Sequence, residues 1–166
     1  MVDEVVQPKP DQREFMINVR VAVLEDLELI VLFQKALASE TEDTALDSDV
    51  LVAGVRSALV DPVKGEYLIA EYQEEPVGCL LTVREWSDWR NGDVIWIHSL
   101  YVKQEVRRRG VFKQLYMYLR HAVETDEDLK GIRLYVHRDN ELAQSAYQSL
   151  GMDGDHYRLF QWMPDD

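Results

Sequence analysis

Ser99-Leu100-Tyr101-Val102-Lys103-Gln104-Glu105-Val106-Arg107-Arg108-Arg109-Gly110-Val111-Phe112 reads as an apolar strand, a basic turn with one glycine, and the start of a helix. A strand feeding a glycine-containing turn at a helix N-terminus aims several backbone N–H groups at one spot, and the helix dipole adds roughly half a positive charge there. Such a corner suits a compact anion, phosphate above all. Three adjacent arginines are also what a solvated loop looks like, and spacing alone leaves that reading open.

Working outward, Phe112, Leu115, Tyr116, Leu119 and Val123 share one face of a helix over Val111 to Val123. Ile132, Leu134 and Val136 then alternate as a strand, Ala143, Ala146, Tyr147 and Leu150 form a short helix stopped by Gly151, and Tyr157 to Met163 reads as a closing strand. Upstream, Val94 to Val102 is an apolar, aromatic run. Asn91-Gly92 before it supplies the two positive φ angles of a type I′ turn, which predicts an antiparallel hairpin with Val77 to Glu85. Tyr67 to Tyr72 is a further strand, joined to that hairpin by a polar turn containing Pro76.

Phe15, Ile17, Val19 and Val21 alternate at the period of a strand. Leu27, Ile30, Val31, Gln34 and Leu37 recur at helical spacing, and Val50 to Leu59 makes a second helix ending before Asp61-Pro62. The order is β, α, α, β, β, β, α, β, α, β, a mixed sheet with helices on its faces. Met1 to Glu14 is polar, carries Pro8 and Pro10, and reads as a flexible tail ahead of one domain over 15–166.

The 166 residues suffice for a single domain with a two-layer core. Thirty-one acidic against eighteen basic residues give a formal charge of −13, which repels nucleic acid and anionic membranes and favours cationic partners. Cys79 is the one cysteine, so no intrachain disulfide or multi-thiolate zinc site is expected, and a cytoplasmic location is the default. The N-terminus lacks the basic and apolar regions of an export signal, and the longest strictly apolar run, Leu29 to Phe33, is far below the ~20 residues that span a bilayer. His121, His137 and His156 show no ligand spacing with one another or with a cysteine, so no metal is expected.

The basic turn resembles the cofactor-binding motif of the GNAT superfamily of acyl-CoA-dependent N-acetyltransferases: Arg or Gln, two residues, Gly, one residue, then Gly or Ala. Here it reads Arg107-Arg108-Arg109-Gly110-Val111-Phe112, with Phe112 where the family usually has a small residue. Its helical spacing puts the Phe112 side chain on the face that meets the sheet. Asn140-Glu141-Leu142-Ala143-Gln144-Ser145-Ala146-Tyr147-Gln148-Ser149-Leu150-Gly151-Met152 resembles a second family motif, Asn…Ala…Tyr…Gly-Phe. Both occur in order, a helix and a strand apart, and the resemblance covers Phe15 to Met163. It implies an α/β GNAT fold, a mixed central sheet of six or seven strands with helices on both faces.

The resemblance further implies that the backbone of Leu100, Tyr101 and Val102 pairs with the pantetheine arm of acetyl-CoA, and that amides of Arg107, Arg108, Arg109, Gly110, Val111 and Phe112 hold the pyrophosphate. Asn140 would lie near the pantetheine arm and Tyr147 beside the thioester sulfur. A tyrosine on an apolar helix face is otherwise a core residue. Acyl transfer to an amine expels a thiolate, and a tyrosine with pKa ~10 stays protonated at neutral pH and able to donate, which makes Tyr147 the candidate general acid.

The nucleophile needs the opposite service. An alkyl ammonium of pKa ~10.4 is neutral in about one part in two thousand at pH 7, a deficit of roughly 4.6 kcal/mol before attack. In several family members a carboxylate on the strand before the cofactor turn takes that proton; the matching position is His98, whose unperturbed pKa of ~6.5 suits the task. Glu85 on the neighbouring strand is the fallback, a water chain the third option, and a satisfied sheet histidine the plain alternative for His98. Trp86, Asp88, Trp89 and Arg90, with Glu40, Glu42 and Asp43, fall in regions that border the acceptor cleft in the family.

The expected activity is transfer of an acetyl group from acetyl-CoA to a primary amine, a small cationic one, by direct attack in a ternary complex. The acidic loop, aromatic hairpin and closing Tyr157-Arg158-Leu159-Phe160 are loosely similar to the diamine and polyamine branch. A peptide or protein amine as acceptor, and a non-catalytic acyl-CoA-binding module, are the alternatives. Partners are acetyl-CoA and an amine, without nucleic acid or membrane, and homodimerisation is left open.

Overall fold

The alternation over Phe15 to Val21 becomes strand β1 (Ile17–Val21) in a computed structural model that describes residues 16–41 and 44–164. The expected tail over 1–14, with Phe15, Glu42 and Asp43, lies outside the described residues. A 3-10 turn at Leu24–Asp26 leads into α1 (Leu27–Thr41), followed by α2 (Ser48–Val60). Asp47 ends the acidic stretch because its carboxylate caps α2, accepting from the amides of Asp49 and Val50 at 2.9 Å each. Then come β2 (Glu66–Tyr72), β3 (Glu75–Ser87), β4 (Gly92–Val102), α3 (Val111–Thr125), β5 (Leu129–Leu134) and α4 (Glu141–Ser149).

The strands form one sheet in the order β1-β2-β3-β4-β5. Neighbours are antiparallel except β4 and β5, which run parallel and are joined by α3, the crossover that parallel pairing requires. A period of two sends adjacent residues to opposite layers. Leu68, Leu80, Ile95 and Ile97 pack with Leu115 and Leu119 of α3. Ile69, Cys79 and Tyr101 pack on the other face with Ile30 and Phe33 of α1 and Val55 of α2. Burial pushes the Cys79 thiol up to about 12, so it is an inert core group.

One charged cluster fastens the sheet edge. Arg20 donates to both oxygens of Asp26, at 2.7 and 2.9 Å, and to Glu71 on β2 at 2.7 Å, while the Val23 amide also donates to Asp26 at 2.8 Å. The hydrogen bond from Arg20 holds the Asp26 carboxyl below its ordinary range despite burial.

Two expectations are corrected. β3 and β4 do pair as an antiparallel hairpin, but residues 88–91 form the loop between the paired Ser87 and Gly92. In that loop Asn91 has a positive φ, 47°, and Gly92 does not. Gly92 is needed for a different reason: a Cβ there would stand 2.5 Å from the Asp128 carbonyl oxygen. The two-residue turn with both φ values positive is Gln73-Glu74, at 52° and 68°, between β2 and β3.

The closing strand at Tyr157 to Met163 is not formed, so the sheet has five strands among the described residues rather than six or seven. Tyr157, Phe160 and Trp162 are 84%, 89% and 85% exposed. Alternation reports a local preference, whereas a strand also needs an edge to pair with. No helix among the described residues is long and apolar enough to cross a membrane.

Candidate active site

β4 and β5 pair from Asp93 opposite Leu129 to Ile97 opposite Leu134, and then part. β4 continues along β3 as far as Val102, opposite Gly78. The stretch Ser99 to Val102 therefore has a strand partner on one side and presents the other edge of its backbone to the opening. The expected strand over Ile132 to Val136 ends at Leu134, and that early end creates the gap.

His98 sits where the strands part, as the extra residue of a β-bulge: Leu81 and Thr82 of β3 oppose Ser99 and Ile97, and His98 has no opposite number. The bulge shifts the parity of β4. Ile95 and Ile97 before it, and Leu100 and Val102 after it, all belong to the α3 layer. His98 and Ser99 thus both serve the opposite face, where Gln34 of α1 donates to the Ser99 hydroxyl at 3.0 Å and His98 lines an open cleft.

Beyond β4, a 3-10 turn at Gln104–Val106 buries Val106 and leads to Arg108 and Gly110, both left-handed with φ of 63° and 86°. The first ladder bond of α3 runs from the Gln114 amide to the Gly110 carbonyl, 3.1 Å. The amides of Val111, Phe112 and Lys113 come before that ladder and have no helical carbonyl to bind, at the positive end of the dipole. The Arg107 side chain is occupied elsewhere. It donates to the Val102 carbonyl at 2.9 Å and to the Glu40 carboxylate, and lies 6.0 Å from the centre of the Tyr101 ring. Glu40 also accepts from Gln104 at 3.2 Å, so it clamps the turn to α1 and does not line the cleft.

Asn140 caps α4, its side-chain oxygen accepting from the Ala143 amide at 3.1 Å. Two turns further along, Tyr147 is half-buried, and burial raises its hydroxyl above the ordinary range, so it is protonated throughout the neutral region. Its neighbour is Phe112: the rings meet in a T shape, centroids 5.2 Å apart. Phe112 packs against the α3 core, which settles where the bulky side chain at the family's small-residue position goes.

The open cleft at the bulge, about 300 Å³, lies between Val83, Arg84, Glu85, Trp96, His98 and Tyr135. It brings the two base candidates together, and they differ in availability. Glu85 accepts from Arg133 at 2.9 Å through one oxygen and from the Trp96 indole N–H through the other, whereas His98 is exposed. The Trp96 ring stands 4.6 Å from the Tyr135 ring, with the Arg133 guanidinium 5.7 Å from the Trp96 centre. Trp96, Arg133 and Tyr135 escaped the sequence reading because they meet through the parallel β4–β5 register, which residue spacing does not encode. Trp86, Asp88, Trp89 and Arg90 do not line this cleft. Among the described residues no group of three or more His, Cys, Asp or Glu side chains gathers as a metal ion needs.

The acetyltransferase (GNAT) family model matches residues 32–152. No curated protein matches the chain. A possible acetyltransferase from Clostridium difficile 630, of known structure, is 39% identical with a TM-score of 0.83, over 90% of this chain and 99% of that one. The aminoglycoside N-acetyltransferase AAC(6')-Iy, solved in complex with CoA, has the same fold at 18% identity and a TM-score of 0.74, over 92% of this chain and 98% of that one. A ribosomal-protein-alanine N-acetyltransferase from Brucella melitensis biovar Abortus 2308 shares it at 16% and 0.71, over 89% and 100%. The family match over 32–152 and the 39% identity to a solved structure along 90% of this chain show that the chain belongs to the GNAT family of acyl-CoA-dependent N-acetyltransferases.

Proposed function

We propose that this protein transfers the acetyl group of acetyl-CoA to a small primary amine by direct attack in a ternary complex. The observation that carries the reading is the parting of β4 from β5 at Ile97, after which β4 runs from the His98 bulge, without a partner on its β5 side, toward the amide-lined start of α3. The Ser99 to Val102 edge pairs with the amide-bearing pantetheine arm as an added strand does. Amides from Arg108 to Phe112 take the pyrophosphate, with Arg108 and Arg109 adding charge. Arg107 braces the turn, its amide donating to the Gln104 carbonyl at 3.3 Å and its side chain pairing with Glu40.

His98 accepts a proton from the incoming ammonium, directly or through water, because both Glu85 oxygens are already engaged. The amine nitrogen bonds to the thioester carbonyl carbon, the carbon–sulfur bond breaks, and Tyr147 gives its proton to the departing thiolate. The nitrogen sheds its second proton as the carbon–sulfur bond breaks, that proton restores Tyr147 through solvent, and His98 releases its own to solvent, so amide, thiol and one proton result. The test is a panel of amines with acetyl-CoA, read as free thiol, alongside the melting temperature with acetyl-CoA. A ligand that binds the native state alone must raise that temperature. Thiol release that depends on an amine is expected; an unchanged melting temperature with no thiol release overturns the reading.

A further inference from the structure

The geometry points to the class of amine: Trp96 and Tyr135 form a fixed aromatic platform for the acceptor, which is a primary amine joined by a short arm to a planar apolar body, not a polycation. This rests on the acetyltransferase reading above and concerns the same opening. A polyamine or aminoglycoside is held by carboxylates that keep charge to spare for each extra ammonium group. Among the described residues the cleft offers none. Glu85 is the carboxylate among its lining residues, and its two oxygens are taken by Arg133 and the Trp96 indole N–H. Arg84, also on the lining, is paired with Asp93 at 3.7 Å. Two guanidiniums and two carboxylates therefore cancel around a cleft in a chain of net charge −13. The acidity of the whole molecule draws a cation toward the surface, but among the described residues the cleft gives a second ammonium group no unengaged carboxylate.

What the cleft does offer is aromatic surface held in place. The Glu85 bond and the Arg133 guanidinium fix the Trp96 ring, and Tyr135 follows directly on β5, its ring 4.6 Å from Trp96 and 55% exposed. A flat side chain already locked loses little freedom when a ligand lies against it, so the contact goes to binding and not to ordering. The open cleft, about 300 Å³, has room for a single ring with its amine arm. Glu85 and Arg133 are in this account positioning residues that hold Trp96, and Tyr135 is the residue that discriminates among acceptors.

The experiment compares kcat/KM by thiol release for 2-phenylethylamine, hexylamine, 1,4-diaminobutane and kanamycin, in the parent and in Tyr135→Leu. Tyr135 is exposed enough for the variant to fold, and the melting temperature with acetyl-CoA checks that it does. The parent is expected to prefer 2-phenylethylamine over the other three by about tenfold, the upper range of one aromatic pairing. Tyr135→Leu should reduce that preference to within about threefold through KM for the aryl amine. Equal or better use of 1,4-diaminobutane or kanamycin by the parent overturns the inference while leaving an acetyltransferase, and so does a preference that Tyr135→Leu does not change. Thiol release with none of the four, while acetyl-CoA raises the melting temperature, overturns the inference and the proposed transfer together.

Discussion

The ring of Tyr147 meets that of Phe112 edge to face, with centroids 5.2 Å apart and 71° between the planes. Phe112 lies in the first turn of α3, just after the glycine turn, and Tyr147 lies on α4, so one aromatic contact ties the candidate acid to the helix start that follows the basic turn. Such a contact adds about 0.5–1.5 kcal/mol beyond burial and holds the Tyr147 ring against α3.

Replacing Tyr147 by Phe keeps this packing and removes the proton donor. We expect kcat to fall about 10²-fold or more with acetyl-CoA affinity nearly unchanged, the usual range for acid catalysis. Since burial raises the hydroxyl above its ordinary range, no loss of rate from its ionisation is expected below about pH 10 in the parent. A variant that melts lower yet turns over like the parent would make Tyr147 a core residue. Phe112→Leu should lower kcat less, and more than it weakens cofactor binding.

His98 and Glu85 face one cleft, and their bonding separates them. His98→Gln is expected to lower kcat/KM by about 10²-fold, as loss of a general base does, with the defect shrinking as pH rises and free amine becomes abundant. Glu85→Gln should leave that pH profile in shape. The reverse pattern in a pH–rate series would move the base to Glu85.

Gly110 adopts a φ of 86° with open space where a Cβ would go, so backbone conformation and not crowding demands glycine. Gly110→Ala should lower stability by about 1–2 kcal/mol, the penalty of a left-handed non-glycine residue, and weaken acetyl-CoA binding. Gly110→Asn should recover part of both, because Asn tolerates that region. Calorimetric titration with acetyl-CoA and a thermal melt on the three proteins give the order.

Asp26 is nearly buried and bonded twice by Arg20. Asp26→Asn is expected to destabilise by about 1–3 kcal/mol at pH 7, the range for hydrogen bonds to charged groups. The folded carboxyl titrates below its ordinary 3.8, so its contribution is complete above that value and is lost as pH falls through the lower, folded one. Denaturation curves should show the two proteins converging in strong acid and nowhere near neutrality.

Much of this protein was legible in residue order, because local periodicity and turn chemistry are properties of neighbours along the chain. The alternation of Ile17 to Val21, the apolar stripe of Val111 to Val123 and the glycine turn at Arg107 to Gly110 lie in the elements expected, and the two motifs name the family. Three things were not legible. The bulge that turns His98 into the cleft depends on β4 carrying one residue more than β3 across a pairing that neither strand encodes alone. The engagement of Glu85 by Trp96 and of Arg107 by Glu40 joins residues 11 and 67 positions apart, where side-chain geometry and not spacing selects the partner. The segment Tyr157 to Met163 has the composition of a strand and no paired edge, since a β-strand is completed by hydrogen bonds from a neighbour that its own residues do not supply.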